Sequence, residues 1–378
     1  MSKLVPLLAV GLAMLACSSL SSTPAAMDPT GTPTTPADTA AERSATSVPP
    51  LATATATPRP PVISAENLDD LSVSLTLTDV DLVRSVAFSP DGSVIAAAMG
   101  DEAGIIRFYE ASTGLLLQAV DGHDGIVWDL AFSPDGRYLA SAGRDGLAQV
   151  WDWRTEEIIH SIVLPGEVVS VAFAPDSLSL AVGGVEAWPD AAIWTYAVDR
   201  WQPLLTLREY WNIPAIVYSP DGSQIAGGGT SRNVRVWDSN SGSEQLVLYR
   251  LGQVTSLAIS PDGSTLATGL CERSEDLECT VGGIRMWSLD NGKLIRSFSD
   301  FTEWVEAVSF TADGAAVLGA SRSGRVRAYA TSDGRPLLVT GVPTAIAPGS
   351  ILTMAISGDG RTLASGGDGR IDLWNVAD

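Results

Sequence analysis

The chain has 378 residues, 45% of them hydrophobic, and a formal net charge of −21. That is enough apolar material for one large or two ordinary domains, and it excludes a chain that is disordered throughout. The first 62 residues hold three basic and three acidic side chains, so the imbalance belongs to the remainder, whose acidic surface repels phosphate and argues against general nucleic-acid or anionic-lipid binding.

At the N-terminus, Lys3 precedes the apolar run LVPLLAVGLAMLA, Leu4 to Ala16. The run is too short for an ordinary membrane-spanning helix and has the size of a signal-peptide core. It ends in MLAC, Met14 to Cys17, which resembles the lipobox of bacterial lipoproteins, where lipid is attached to the cysteine and cleavage falls just before it. Ala16 fits that pattern, while Met14 and Leu15 depart from the commoner leucine followed by a small residue. Ordinary secretory cleavage, with Cys17 incidental, is the alternative. The resemblance implies a signal peptide over residues 1–16, lipidation at Cys17 and an extracytoplasmic protein attached to a bacterial membrane through its anchor alone. Residues 17–62 are Ser, Thr, Pro and Ala with no aromatic residue, a composition that cannot offset ordering entropy by burial, and they are expected to form a disordered, extended tether.

Residues 63–378 are expected to be one repeat domain. The aspartates of a recurring turn, Asp91, Asp135, Asp176, Asp221, Asp262, Asp313 and Asp359, are spaced by 44, 41, 45, 41, 51 and 46 residues. A period in the forties with strand signals inside each unit indicates a propeller or another repeat array. In the second unit IVWDLAF, RYLASAG, LAQVWDW and EEIIHSIVL read as four strands separated by SPDG, RDG and a further turn. The predicted fold is all-β, a seven-bladed propeller of four-stranded antiparallel blades.

These residues resemble the WD-repeat (WD40) β-propeller family from about Leu71 onward, most closely in the second unit with Gly122-His123, FSPDG and Trp151-Asp152. The family's buried hydrogen-bonded tetrad maps onto His123, Ser141, Asp145 and Trp151. The resemblance makes that Ser-His-Asp set a structural staple rather than a catalytic triad, which needs an exposed nucleophile and oxyanion donors. His123 is the only histidine at this position. Aromatic residues hold the place of Trp151 in the other units, at Tyr109, Trp194, Trp237, Trp287, Tyr329 and Trp374. The third unit has Ser177 in place of the turn glycine. The seventh unit stops after its third strand, and LSVSLTLT, Leu71 to Thr78, alternates as a half-buried strand should, so it is expected to supply the missing strand and close the ring.

Insertions VEAWPDAA in the third unit and CERSEDLEC in the fifth fall where the family's loops reach the top face. Cys271 and Cys279, eight residues apart in an exported domain, read as a disulfide, with free thiols as the alternative. Arg84, Trp128, Trp188, Tyr210, Trp211, Trp304 and Glu306 gather toward the same face and form the candidate binding surface, rich in the residue types of binding hot spots. Tyr210 and Trp211 are expected in the loop from blade three to blade four.

The function that follows is a membrane-anchored interaction scaffold that binds a protein or peptide as a monomeric propeller, without cofactor, metal or nucleic acid. Two other readings stay open: a propeller hydrolase with a site in the channel, for which Asp81, Asp129 and Glu306 are the carboxylates to inspect, and kinship with TolB-like exported propellers. DxDxDG, HExxH and GxSxG motifs are absent from the sequence.

Overall fold

The computed structural model describes residues 60–377 apart from positions 79, 101, 188, 189, 211, 250, 276, 277 and 342–350. Residues 1–59, over which a signal peptide, a lipidated Cys17 and most of a tether are expected, therefore lie outside the described residues, as do Trp188 and Trp211. Among the described residues, 28 strands form seven antiparallel sheets of four. Six sheets, or blades, each use four consecutive strands. The seventh orders Leu71–Leu77, Arg370–Val376, Thr362–Gly367 and Ile351–Ile356. First strands line a central channel and touch their neighbours around the whole ring. Second strands lie inside their blades and are buried on both faces, at every residue in Val94–Met99 and Ala316–Ser321. They consequently read as continuous runs of small and branched apolar residues.

The SPDG turns are held by their own side chains. Ser89 Oγ donates to Asp91 Oδ1 at 2.6 Å, and the same oxygen accepts the Ser93 amide at 3.1 Å. Ser133 with Asp135, Ser219 with Asp221 and Ser260 with Asp262 repeat the hydroxyl-to-carboxylate bond. The turn glycines sit at positive φ, and Ser177 takes the same left-handed backbone at φ 63°. That conformation costs a non-glycine residue about 1 kcal/mol. The Ser177 hydroxyl offsets part of it by accepting the Asp135 amide of blade 2 at 3.0 Å.

Seven apolar clusters fill the seven blade interfaces. The third-strand aromatics plug them, each packing toward the preceding blade: Tyr109 between blades 7 and 1, Trp151 between 1 and 2, Trp237 between 3 and 4. In blade 3 the register corrects the sequence alignment. Leu139 pairs with Trp151 in blade 2, and its counterpart Leu180 pairs with Tyr196, so Tyr196 and not Trp194 holds the aromatic position. The insertion nearby had displaced the alignment by two residues.

Leu71–Leu77 closes the ring against Arg370–Val376, in register from Leu71 opposite Val376 to Leu77 opposite Ile371. Simple alternation would put Leu71, Val73, Leu75 and Leu77 on one face. Instead the register slips between Val73 and Leu75. Leu71 and Val73 pack into the cluster shared with blade 6, whereas Leu75 and Leu77 pack into the one shared with blade 1. The bulge lets one short strand bury side chains toward both neighbours. Ordered contacts reach back further than residue 63. The Ile63 amide donates to the Gly360 carbonyl at 2.7 Å, Arg361 donates to the Pro60 carbonyl, and Ile63 and Leu68 are wholly buried.

Candidate functional site

The channel mouth is built from backbone irregularities. In six blades the pairing of first and second strands slips by one residue, leaving Arg84, Trp128, Val169, Thr255, Glu306 and Leu352 as the bulged positions. A bulge re-aims its side chain. All six line one cavity of about 370 Å³ at the end of the channel where the first strands begin. Antiparallel order brings the hairpins between second and third strands to the same end, and Arg322 reaches the cavity from the hairpin of blade 6.

Arg84 lies 5.2 Å from the Trp128 ring centre and Arg322 lies 5.4 Å from that of Trp304. Glu306 pairs with Arg322 at 2.5 Å. Burial pushes the Glu306 carboxyl above its ordinary range, with Arg322 and Arg84 pulling it back. Burial, and then Arg322, push the Arg84 guanidinium down. Arg84, Trp128 and Glu306 are thus brought together, with Trp304 stacked beside them. Tyr210 is instead the last residue of the outer strand Gln202–Tyr210, paired with Asp190, and not part of a loop between blades. Asp81 is exposed and does not line the cavity.

Beneath the mouth runs a belt that links blade to blade. Thr353 Oγ1 accepts the Val86 amide at 3.2 Å, Ser85 Oγ accepts Leu130 at 3.2 Å, Asp129 Oδ2 accepts Val171 at 3.0 Å and Ser256 Oγ accepts Val308 at 3.1 Å. Ala215 and Ala307 stand at the matching positions of blades 4 and 6 and have no side-chain oxygen to offer. Asp129 is the one acid in this belt. As a residue it is partly exposed, but its carboxylate is enclosed, and burial raises its pKa to about 6 against three donors, the Val171 and Leu130 amides and the Ser85 hydroxyl.

A folded-state pKa above the unfolded value means that stability falls as pH rises from about 4 to about 6, and that the cost persists above that range. Asp129→Ser keeps an oxygen of the kind blades 1 and 5 use and removes the charge. Relative to this variant, the wild-type unfolding free energy should fall by about 1 to 3 kcal/mol over that interval, a range reduced for partial exposure. Parallel pH profiles in urea titrations of the two proteins would count against a buried charge at this position.

The staple of blade 2 is complete. Trp151 Nε1 donates to Ser141 Oγ at 3.0 Å, so the Ser141 hydroxyl donates to His123 Nε2 at 2.7 Å, and His123 Nδ1–H donates to Asp145 at 3.0 Å. Burial lowers the His123 pKa, opposed by Asp145. The neutral ring is therefore the stable form, and this contribution is lost as pH falls below about 6.5. Ser141 is fully buried with its bonds inside the blade, which makes the Ser-His-Asp set a clamp. Half of it recurs in blade 7, where Trp374 Nε1 donates to Ser365 Oγ at 2.9 Å, and more loosely in blade 5 from Trp287 to Thr268 at 3.4 Å.

The two insertions continue the blades as long hairpins, Thr265–Glu275 with Glu278–Ser288 and Ser179–Ala187 with Asp190–Ala197, on the mouth side. Cys271 and Cys279 are joined at 2.16 Å across the first, where the strand register slips twice. A bridge closing so short a loop contributes about 2.5 kcal/mol in the chain-entropy model. Among the described residues no three His, Cys, Asp or Glu side chains cluster as metal ligands would, and no helix is long and apolar enough to cross a membrane.

Comparison with known proteins agrees with this architecture. The WD40 family, described as "WD domain, G-beta repeat", matches residues 74–110, 114–152, 201–238, 246–278 and 341–375. The serine-threonine kinase receptor-associated protein of Gallus gallus is 24% identical over 287 residues, 68% of this chain and 80% of that protein. A periodic tryptophan protein 2 homologue of Schizosaccharomyces pombe is 28% identical over 177 residues, 42% of this chain, and the match spans only 20% of that longer protein. An uncharacterised WD repeat-containing protein of Synechocystis is 28% identical over 163 residues, 42% of this chain and 45% of its own length. With seven blades, a closing N-terminal strand and a complete tetrad in blade 2, the chain belongs to the WD40 repeat family.

Proposed function

We propose that the protein is an interaction scaffold that binds a protein or peptide partner on its channel-mouth face and is held outside the cytoplasm on a bacterial membrane by lipid at Cys17. The observation that carries the binding half is the convergence of the bulged residues Arg84, Trp128 and Glu306 with Arg322 and Trp304 at one end of the channel. Arginine and tryptophan held against each other lose little freedom on binding, which is why such pairs make hot spots. The avian relative is named for association with a receptor, in keeping with a binding role. A hydrolase reading would need a carboxylate at liberty in the channel. Asp129 is committed to three donors and Glu306 to Arg322, which favours the scaffold.

Capture from solubilised membranes, followed by mass spectrometry, tests the binding face. Trp304→Ala should weaken retention of the principal partner by roughly thirtyfold, the effect of losing about 2 kcal/mol, with the thermal melt unchanged. Full retention by both Trp304→Ala and Arg322→Ala would move the interface elsewhere. Separately, Cys17→Ala should release a folded protein into the soluble fraction, and sedimentation that survives a salt wash would refute the anchor.

A further inference from the structure

Resting on the reading of the mouth as a binding site, we infer that the group it recognises is an uncharged amide, its carbonyl oxygen taken by Arg84 and Trp128 and its N–H given to Asn212. Three polar atoms on residues that line this cavity are enclosed with neither a hydrogen-bond nor an ion-pair partner among the described residues, Arg84 Nε, Trp128 Nε1 and Asn212 Oδ1, while the lining's other atom without a hydrogen bond, Glu306 Oε1, is paired with Arg322. Each such atom is costly to leave unpaired, so three around one cavity mark places for a ligand's own polar groups. Two are donors and one is an acceptor.

The three are held in place before any ligand arrives. The Arg84 stem lies flat on Gly100, where an added Cβ would come within 2.7 Å of Arg84 Cγ, and its guanidinium stacks on Trp128. Asn212 is pinned from both sides by Thr230, whose hydroxyl accepts the Asn212 amide at 3.2 Å and whose amide donates to the Asn212 carbonyl at 3.2 Å. A carboxylate ligand fits this pattern poorly. It could accept from Arg84 and Trp128, but it has no hydrogen for Asn212 and would join Asp129 and Glu306, two carboxylates already in the lining. An amide offers an acceptor and a donor with no net charge, and both peptide backbones and Asn or Gln side chains carry it.

Two capped residues separate these sources, N-acetylglutamine methylamide and N-acetylglutamate methylamide, which share their backbone amides and differ only at the side chain. The readout is the indole ¹⁵N–H resonance of Trp128, identified by its loss in Trp128→Phe. Saturable movement with the glutamine probe at tenfold or more lower concentration than the glutamate probe assigns the site to a side-chain carboxamide. Equal saturable movement with both, and with N-acetylglycine methylamide, assigns it to backbone amide. Either result should weaken about tenfold or more in Arg84→Gln and in Asn212→Ala, with unchanged melts. Tighter binding of the glutamate probe, or no saturable movement with any probe, overturns the inference. Loss of the captured partner in Trp304→Ala alongside failed probes overturns the amide assignment alone, whereas working probes alongside full capture by that variant overturn the docking face alone.

Discussion

Deletion of residues 60–78 should abolish soluble, folded protein, while deletion of residues 18–59 should leave the melting temperature essentially unchanged. The first deletion removes Leu71–Leu77 from its ladder with Arg370–Val376 and leaves that strand as an open edge. It also strips Ile63, Leu68 and Leu71 from the interface of blades 6 and 7, and Leu75 and Leu77 from that of blades 7 and 1. Burying Ile63, Leu68 and Leu71 and half-burying Leu75 and Leu77 is worth roughly 6 to 12 kcal/mol before the entropy of ordering the segment is subtracted. Whole domains are stable by only about 5 to 15 kcal/mol. Expression yield, size-exclusion profile and thermal melt of the two truncations decide the matter, and equal stability would mean that the ring does not need this strand.

Ser141→Ala should cost about 2 to 5 kcal/mol, more than Asp145→Ala at about 1 to 3 kcal/mol. The ranking follows from burial. Ser141 is wholly enclosed, and losing its oxygen strands both the Trp151 indole N–H and His123 Nε2 where water cannot reach. The Asp145 side chain is 11% exposed, so water can partly replace it at His123 and at the Asp124 and Leu147 amides. Gly143→Ala belongs with Ser141→Ala, since its Cβ would fall 2.1 Å from His123 Nδ1 and 2.5 Å from Asp145 Oδ1, driving the two apart. Urea unfolding of the single and double variants measures this, and the costs should be less than additive within the staple. A loss under about 1 kcal/mol for Ser141→Ala would show that the tetrad does not hold blade 2 together.

The blade count, the closing strand and the staple were legible because each is written locally, as a spaced turn, an alternating run or a set of residue types within one repeat. The bulges were not. A slip of one residue leaves no compositional trace, so Arg84, Trp128 and Glu306 could be aligned by sequence without any sign that the backbone turns them into the channel. Ser74 hides its effect in the same way, sending two leucines to the opposite interface. The inter-blade belt does leave a signal in the sequence. Ser85, Asp129, Ser170, Ser256 and Thr353 each stand three residues before the last apolar residue of a first strand, at Phe88, Phe132, Phe173, Ile259 and Ile356. Polar residues at a fixed place in an otherwise apolar strand need a partner, and here the partner for most is the neighbouring blade. Ser170 departs from the rest, donating to the Ile213 carbonyl at 2.7 Å.

Because the first strand among the described residues is also the outermost strand of blade 7, tension carried by the N-terminal segment enters the domain at its seam. In the other six blades all four strands follow one another along the chain. Within blade 7 the outer strand meets its neighbour through hydrogen bonds and packing alone, from Leu71 opposite Val376 to Leu77 opposite Ile371. A pull at Pro60 first loads the anchorage of Ile63 and Leu68, and only then the Leu71 end of the ladder. A load drawn along the strand would be shared by all the rungs, whereas one drawn across it would part them singly. A pull on the N-terminal segment against a load on the rest of the ring would therefore part this joint first, opening the ring without breaking a covalent bond.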